Sequence, residues 1–222
     1  MNVMLELRNI SKQYRECNVL EGIDFTILQG TTVAVTGSSG AGKTTLLNII
    51  SLLDEPTAGD IFYFGKKVER NNYTSLRKAF ISFVYQQHNL MPEFTVLENI
   101  EIIAKMKGSY DKDLIFDLLK KVDIFEYKDK KPSELSSGQK QRASIVRAIA
   151  AKPKILFADE PTGNLDPTSA EIASNLLISL AKEQNIAVFL ITHNMEIAKK
   201  CDTILQIKEK KLALKLIEPT YV

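Results

Sequence analysis

GSSGAGKTT, from Gly37 to Thr45, lies directly behind the apolar stretch TTVAV (31–35) and ahead of the apolar stretch LLNII (46–50). A glycine, four residues, then Gly42, Lys43 and Thr44, set between a strand and a helix, is the pattern of a phosphate-binding loop. The glycines permit a tight turn and close approach of the backbone, so the N–H groups from Ser39 to Thr44 can wrap a phosphate. The next helix adds unpaired donors and the positive end of its dipole. Lys43 supplies a point charge to the β and γ oxygens, and the Thr44 hydroxyl reaches a magnesium ion. The ligand class is therefore a nucleoside triphosphate with magnesium. The candidate contacts are Gly37, Ser38, Ser39, Gly40, Ala41, Gly42, Lys43, Thr44 and Thr45.

Outward from this loop the chain reads as one α/β domain. Its 222 residues allow a sizeable core and a small inserted lobe. LELRNI (5–10), DFTIL (24–28) and TTVAV are short and rich in strand formers, with a turn at Gln29-Gly30. The first helix is expected to run from the phosphate loop to about Leu53, DIFYFGKKV (60–68) to add an antiparallel strand pair, and AFISFVYQ (79–86) to be an apolar strand. From Thr95 to about Tyr127 apolar residues recur with helical spacing, and Gly108-Ser109 divides two helices. SELSSGQKQRASIVRAIAAKP (133–153) opens a long helix over 138–151. KILFADE (154–160), a helix over about 169–183 and IAVFLITH (186–193) form a strand–helix–strand unit of a parallel sheet. The tail from Asp202 to Glu218 alternates with period two, as a hairpin does.

Composition removes several classes. Hydrophobic residues are 45% and charged residues 25%, ordinary for a globular protein, and the net charge of +2 is too small to argue for nucleic acid. No apolar run approaches the roughly 18 residues of a membrane span. MNVMLELRN (1–9) is expected not to be a signal peptide. Cys17 and Cys201 match no metal or redox spacing, which suits a reducing compartment.

ILFADE is an apolar strand ending in adjacent acids, and a carboxylate at the C-terminal end of a buried parallel strand emerges beside a phosphate loop. Asp159 is the expected metal-side acid, through water, and Glu160 the group that orients and polarises an attacking water. His193 ends the next apolar strand, within reach of a γ-phosphate oxygen; a satisfied surface or core histidine is the plainer reading of the same residue. His88 lies in a polar loop and is given no role.

Together these features resemble the nucleotide-binding subunits of ABC transporters over essentially the whole chain. The most specific element is LSSGQ (135–139), followed by KQR; it resembles the family signature, with Ser137 in place of the first of two glycines. The resemblance implies an ATPase fold with an N-terminal antiparallel β region and an inserted helical subdomain. The nucleotide core would be 1–86 and 154–222, and the remainder, about 87–153, the glutamine loop, helical subdomain and signature helix. It implies that Ser136, Gly138 and Gln139 cap the γ-phosphate bound by a second copy. It also implies that Tyr14 stacks on adenine, that Gln86 touches magnesium or the water and senses a membrane subunit, and that Asp166 of NLD (164–166) acts across a homodimer. The catalytic set would be Glu160, His193, Gln86 and Lys43, and the metal set Thr44, Gln86 and Asp159, with ATP and magnesium as ligands.

SLLDEPTAGDIFYFGKKV (51–68) and VYQQHNLMPEFTVLENI (84–100) resemble the branch serving lipoprotein release, macrolide and antimicrobial-peptide efflux, and cell division. Integral membrane subunits are then the implied partners, docked at the helical subdomain, with Leu90, Met91 and Phe94 at the lip of the contact. The location would be the cytoplasmic face of the membrane. An ATPase that regulates cell-wall hydrolysis without transport is the alternative. Soluble paired-cassette proteins are disfavoured, since they need a second cassette or a long coiled coil.

Overall fold

Three apolar pentads decide the architecture. Strands β3 (Thr32–Thr36), β7 (Ile155–Asp159) and β8 (Ala187–Ile191) are buried along almost their whole length. Burial on both faces is what a parallel sheet covered on two sides requires. Alternate residues serve the two faces: Val33, Val35, Phe157, Phe189 and Ile191 enter one apolar cluster, and Ala34, Leu156, Ala158, Val188 and Leu190 the other. The computed structural model describes residues 2–214.

In chain order the elements are β1 (Val3–Tyr14), β2 (Cys17–Leu28), β3, α1 (Lys43–Ile50), β4 (Ala58–Tyr63), β5 (Lys66–Lys67), α2 (Tyr73–Phe80), β6 (Ile81–Tyr85), α3 (Val96–Met106), α4 (Lys112–Lys121), α5 (Ser137–Ala150), β7, α6 (Pro167–Glu183), β8, α7 (Met195–Ala198), β9 (Thr203–Lys208) and β10 (Lys211–Leu214). A six-stranded sheet has the order β10-β9-β3-β8-β7-β6; only β10 runs antiparallel to its neighbour. A four-stranded antiparallel sheet, β2-β1-β4-β5, covers one side, and α1 shares the cluster between the two sheets through Leu46, Leu47, Ile49 and Ile50. Helices α3, α4, α5 and α6 bury their apolar stripes in the second cluster, on the opposite face. Among the described residues no helix is long and apolar enough to cross a membrane.

The expected mixed α/β fold is present, with local differences. The first helix ends at Ile50 rather than near Leu53, because Leu52 turns left-handed at φ 63° and breaks the helical run. Strands β1 and β2 each extend to 12 residues, pairing as far as Tyr14 with Cys17. Helix α2 was not expected. Its short apolar stripe, the partly buried Tyr73, Leu76 and Phe80, merges in sequence with the strand behind it, which starts at Ile81, not Ala79. The terminal hairpin is present as β9 and β10; residues 215–218 of that expectation lie outside the described residues.

Local hydrogen bonding explains the ends of the helices. Thr95 and Glu98 form a reciprocal capping box on α3, and Asp111 caps α4. The fully buried Asn99 donates to the carbonyls of Met91, Phe94 and Thr95 at 2.9–3.1 Å and accepts from Met91 N at 2.7 Å. That one side chain fixes the path of the 91–95 loop. Lys107, after α3, donates to Ile81 O and, at 3.3 Å, to Ser82 Oγ; burial lowers its pKa to about 8. Replacing Asn99 by Ala leaves backbone polar groups without partners. Asn99→Ala is expected to lower stability by about 2 kcal/mol, read as a lower urea midpoint at an unchanged m value.

Candidate functional site

The C-terminal ends of β3, β7 and β8 deliver the residues beyond them to one edge of the sheet. There Tyr14, Ser39, Gly40, Gly42, Lys43, Thr44, Thr45, Asp159, Glu160 and His193 line a cleft of about 410 Å³. Gly40 and Gly42 are left-handed at φ 76° and 97°, and a Cβ on Gly42 would stand 3.0 Å from Val19 and Leu20 side chains. The sharp turn therefore needs glycine at 42, where α1 begins. Lys43 is buried, and its ammonium donates to the carbonyls of Gly37 and Ser38 at 3.0 and 2.9 Å, which fixes it at the mouth of the loop.

The Thr44 hydroxyl donates to Asp159 Oδ2 at 3.4 Å. Glu160 comes next in a left-handed conformation at φ 46°, its N–H bound to Ile191 O at 3.0 Å. Such a backbone is unfavourable for a non-glycine residue and turns the Glu160 side chain out of the strand alternation. His193 Nε2 stands 2.9 Å from Glu160 Oε1, at ion-pair distance, and among the described residues that buried oxygen has no hydrogen-bond partner. Burial raises the pKa of Asp159, with Thr44 and Lys43 acting against it. Burial likewise raises that of Glu160, opposed by His193 and Lys43.

Gln86 lines an adjoining cavity of about 400 Å³ together with Thr44, Asp159 and Glu160. Its Nε2 donates to Asn164 Oδ1 at 2.7 Å, and a Cβ on Gly163 would stand 2.8 Å from that nitrogen. Asp166 does not face the cleft: it caps α6 by accepting from Ser169 N at 3.0 Å. Ser136, Gly138 and Gln139 line neither cavity. Ser136 Oγ accepts from Gln139 N at 3.2 Å, while Ser136 N donates to Gln139 Oε1 at 2.8 Å, so the segment is a capping box on α5.

Several residues of this neighbourhood carry no signal in the sequence. His88, assigned no role there, has Nδ1 2.5 Å from Oε1 of the fully buried Gln141, whose Nε2 donates to Pro161 O at 2.5 Å. Arg147 donates to the carbonyls of His88 and Asn89 at 2.8 and 2.5 Å. Only the pairing of distant segments reveals these contacts.

The chain's residues 20–163 match the sequence model of the ABC transporter family. This chain belongs to that family. It is an ATP-binding cassette, and such cassettes bind nucleotide and hydrolyse ATP in a reaction coupled to transport. The lipoprotein-releasing system ATP-binding protein LolD of Rickettsia conorii is 41% identical over 218 residues, 95% of this chain and 98% of that one. A LolD protein of Rhodospirillum rubrum is 40% identical over 211 residues, 92% and 93% of the two chains. A dimeric structure of the ATP-binding cassette MJ0796 with ADP and Pi superposes with a TM-score of 0.83 at 33% identity, covering 96% of this chain and 98% of that one.

Because burial raises the pKa of Glu160, the folded cassette holds its carboxyl proton more tightly than the unfolded chain does. The stability this gives is fully present below the ordinary value of 4.5 and is lost as pH rises through the raised folded value, beyond which the ionised carboxylate destabilises the fold. Glu160→Gln is therefore expected to raise the melting temperature of the nucleotide-free protein at neutral pH, with the gain vanishing in acid. Thermal melts of both proteins across that pH range check it.

Proposed function

We propose that this cassette powers a membrane complex that extracts or releases a lipoprotein, and that two copies close head to tail around two ATP molecules. The observation that carries the reading is the division of candidate groups within one chain. Lys43, Thr44, Asp159, Glu160 and His193 share a cleft, whereas Ser136, Gly138 and Gln139 do not reach it. A second copy is the natural source of the missing donors, and the α5 N-terminus that carries them suits an anion. The substrate class is drawn from the names of the relatives, which favour lipoprotein release over a division role.

In this reading the backbone donors from Ser39 to Thr44 hold the β-phosphate, with Gly37, Ser38 and Thr45 completing the loop, and Lys43 turns from its carbonyls to the phosphate oxygens. Tyr14 offers its ring to the base. Thr44 and Asp159, with Gln86 beside them, form an all-oxygen set suited to a hard cation. No group of three or more His, Cys, Asp or Glu among the described residues forms a site by itself, so phosphate and water oxygens would complete the shell. These three residues would hold magnesium, whose charge offsets that of the phosphates. Glu160, whose Oε1 has no hydrogen-bond partner among the described residues, orients the water and takes its proton as the water attacks the γ-phosphorus and the bond from that phosphorus to ADP breaks. His193 and the partner copy's signature segment steady the γ oxygens.

In this reading the described residues up to 86 and from 154 onward make up the nucleotide core, about 87–153 hold the glutamine loop, helical subdomain and signature helix, and the membrane subunits dock at the helical subdomain. The contact is placed at Leu90, Met91 and Phe94; Phe94 is 38% exposed, whereas Leu90 packs against the apolar cluster beneath the helices, as a purely structural role would also have it. The cassette sits on the cytoplasmic face of the membrane through those partners.

Glu160→Gln should retain ATP binding, lose at least about 100-fold in turnover and elute as a dimer with ATP and magnesium. A monomer with wild-type turnover contradicts the assignment. Phe94→Asp should keep ATP binding while losing co-purification with membranes; undiminished membrane association removes Phe94 from the contact.

A further inference from the structure

If Tyr14 stacks on adenine, as proposed, its ring must keep a fixed plane, and the role inferred for its neighbours depends on that stacking. The ring is 45% exposed at the end of β1, so packing alone does not hold it. Polar contacts do. The Tyr14 hydroxyl donates to Asp54 Oδ2 at 2.5 Å. Lys12 Nζ donates to Asp54 Oδ1 at 2.9 Å and to Glu55 O at 2.5 Å. The same ammonium stands 4.7 Å from the Tyr14 ring centroid, at cation–π distance. Lys12 is only 9% exposed, unusual for a lysine, and its burial is supported by those two acceptors and the ring.

Asp54 is itself tied to the helix that starts at the phosphate loop. The left-handed turn at Leu52 brings the chain back so that Leu53 N and Asp54 N both donate to Asn48 O, at 2.8 and 3.0 Å. Phenol, carboxylate and ammonium thus link the end of β1 to the end of α1. Burial of Asp54 works against its ionisation, but the hydrogen bonds from Tyr14 and Lys12 outweigh it and hold its pKa low. The bond to Asp54 is also the main reason the Tyr14 phenol is raised. The carboxylate therefore stays charged and the phenol stays a donor across the neutral range.

We propose that Asp54 and Lys12 are positioning residues for the nucleobase. They fix the Tyr14 ring at a set distance from the phosphate loop, and the Lys12 ammonium takes one face of the ring, leaving the other for a purine. A ring ordered in advance spares the ligand the cost of ordering it, an effect of about 3- to 10-fold in affinity.

The test compares equilibrium binding of ATP and of inorganic tripolyphosphate, which lacks a base, to the full chain with magnesium. Asp54→Ala and Tyr14→Phe should each weaken ATP about 3- to 10-fold and leave tripolyphosphate unchanged. In a Tyr14→Ala background, Asp54→Ala should add nothing, since no ring remains to be positioned. Equal weakening of both ligands by Asp54→Ala would show a merely structural support of α1 and overturn the proposal. So would a full Asp54 effect without the Tyr14 ring. Should Asp54→Ala fail to fold, Tyr14→Phe removes only an exposed ring's hydroxyl, and unchanged ATP affinity there overturns the proposal as well. If Tyr14→Ala leaves the preference for ATP over tripolyphosphate intact, the base-stacking role falls and the positioning role with it; if Tyr14→Ala abolishes that preference while Asp54→Ala leaves ATP affinity unchanged, the positioning role alone is overturned.

Discussion

Burial of the central strands on both faces is the constraint on which the rest of the structure depends. A strand whose every side chain is enclosed cannot carry ionisable groups along its length without desolvating them. In β3, β7 and β8 the chemistry is therefore displaced to the strand ends: Gly37 after β3, Asp159 and Glu160 at and after β7, and His193 two residues beyond β8. Parallel register aligns those ends. Val33 pairs with Phe189, and Phe157 pairs with Phe189 in turn, so the three C-terminal ends lie side by side. The cleft is a geometric consequence of a core too apolar to admit it elsewhere.

Within the cleft, local stability is given up. Glu160 is left-handed, its buried Oε1 has no hydrogen-bond partner among the described residues, and burial raises the pKa of both adjacent carboxylic acids. Each of these is unfavourable for folding and useful for a group that must engage a polar ligand. Lys43 moderates the field of the two acids while its own hydrogen bonds go to loop carbonyls. Because those acceptors are neutral, exchanging them for phosphate oxygens strengthens the interaction of the ammonium.

The sheet and the phosphate loop were legible because they rest on short-range patterns: apolar pentads, a glycine turn at fixed spacing, acids at a strand exit. The signature helix was equally legible, since Ser136 and Gln139 form the capping box their spacing suggests. Helix α2 was hidden because its stripe runs into β6, and the early end of α1 because a left-handed leucine has no sequence signature. The least legible residues act across long separations. Asp54 reaches Tyr14 over 40 positions, Gln86 reaches Asn164 over 78, and Gln141 reaches His88 over 53. None has a periodic neighbour that would mark it, and nothing in QKQR distinguishes a buried glutamine from an exposed one.

Those long-range contacts also constrain how the cassette can move. Helix α5 carries the signature segment at its start, Gln141 one turn later and Arg147 further on. Gln141 holds His88 on one side and Pro161 on the other, while Arg147 holds the carbonyls at 88 and 89. Gln86, just ahead of these, is tied to Asn164. A displacement of α5 relative to the turn at Pro161 breaks the buried Gln141–Pro161 hydrogen bond, which costs about 1–3 kcal/mol when left unmade. Moving α5 together with the 86–89 segment would still part Gln141 from Pro161 and Gln86 from Asn164, so the start of α5, the 86–89 segment and the turn behind Glu160 are held to one another by the same few side chains.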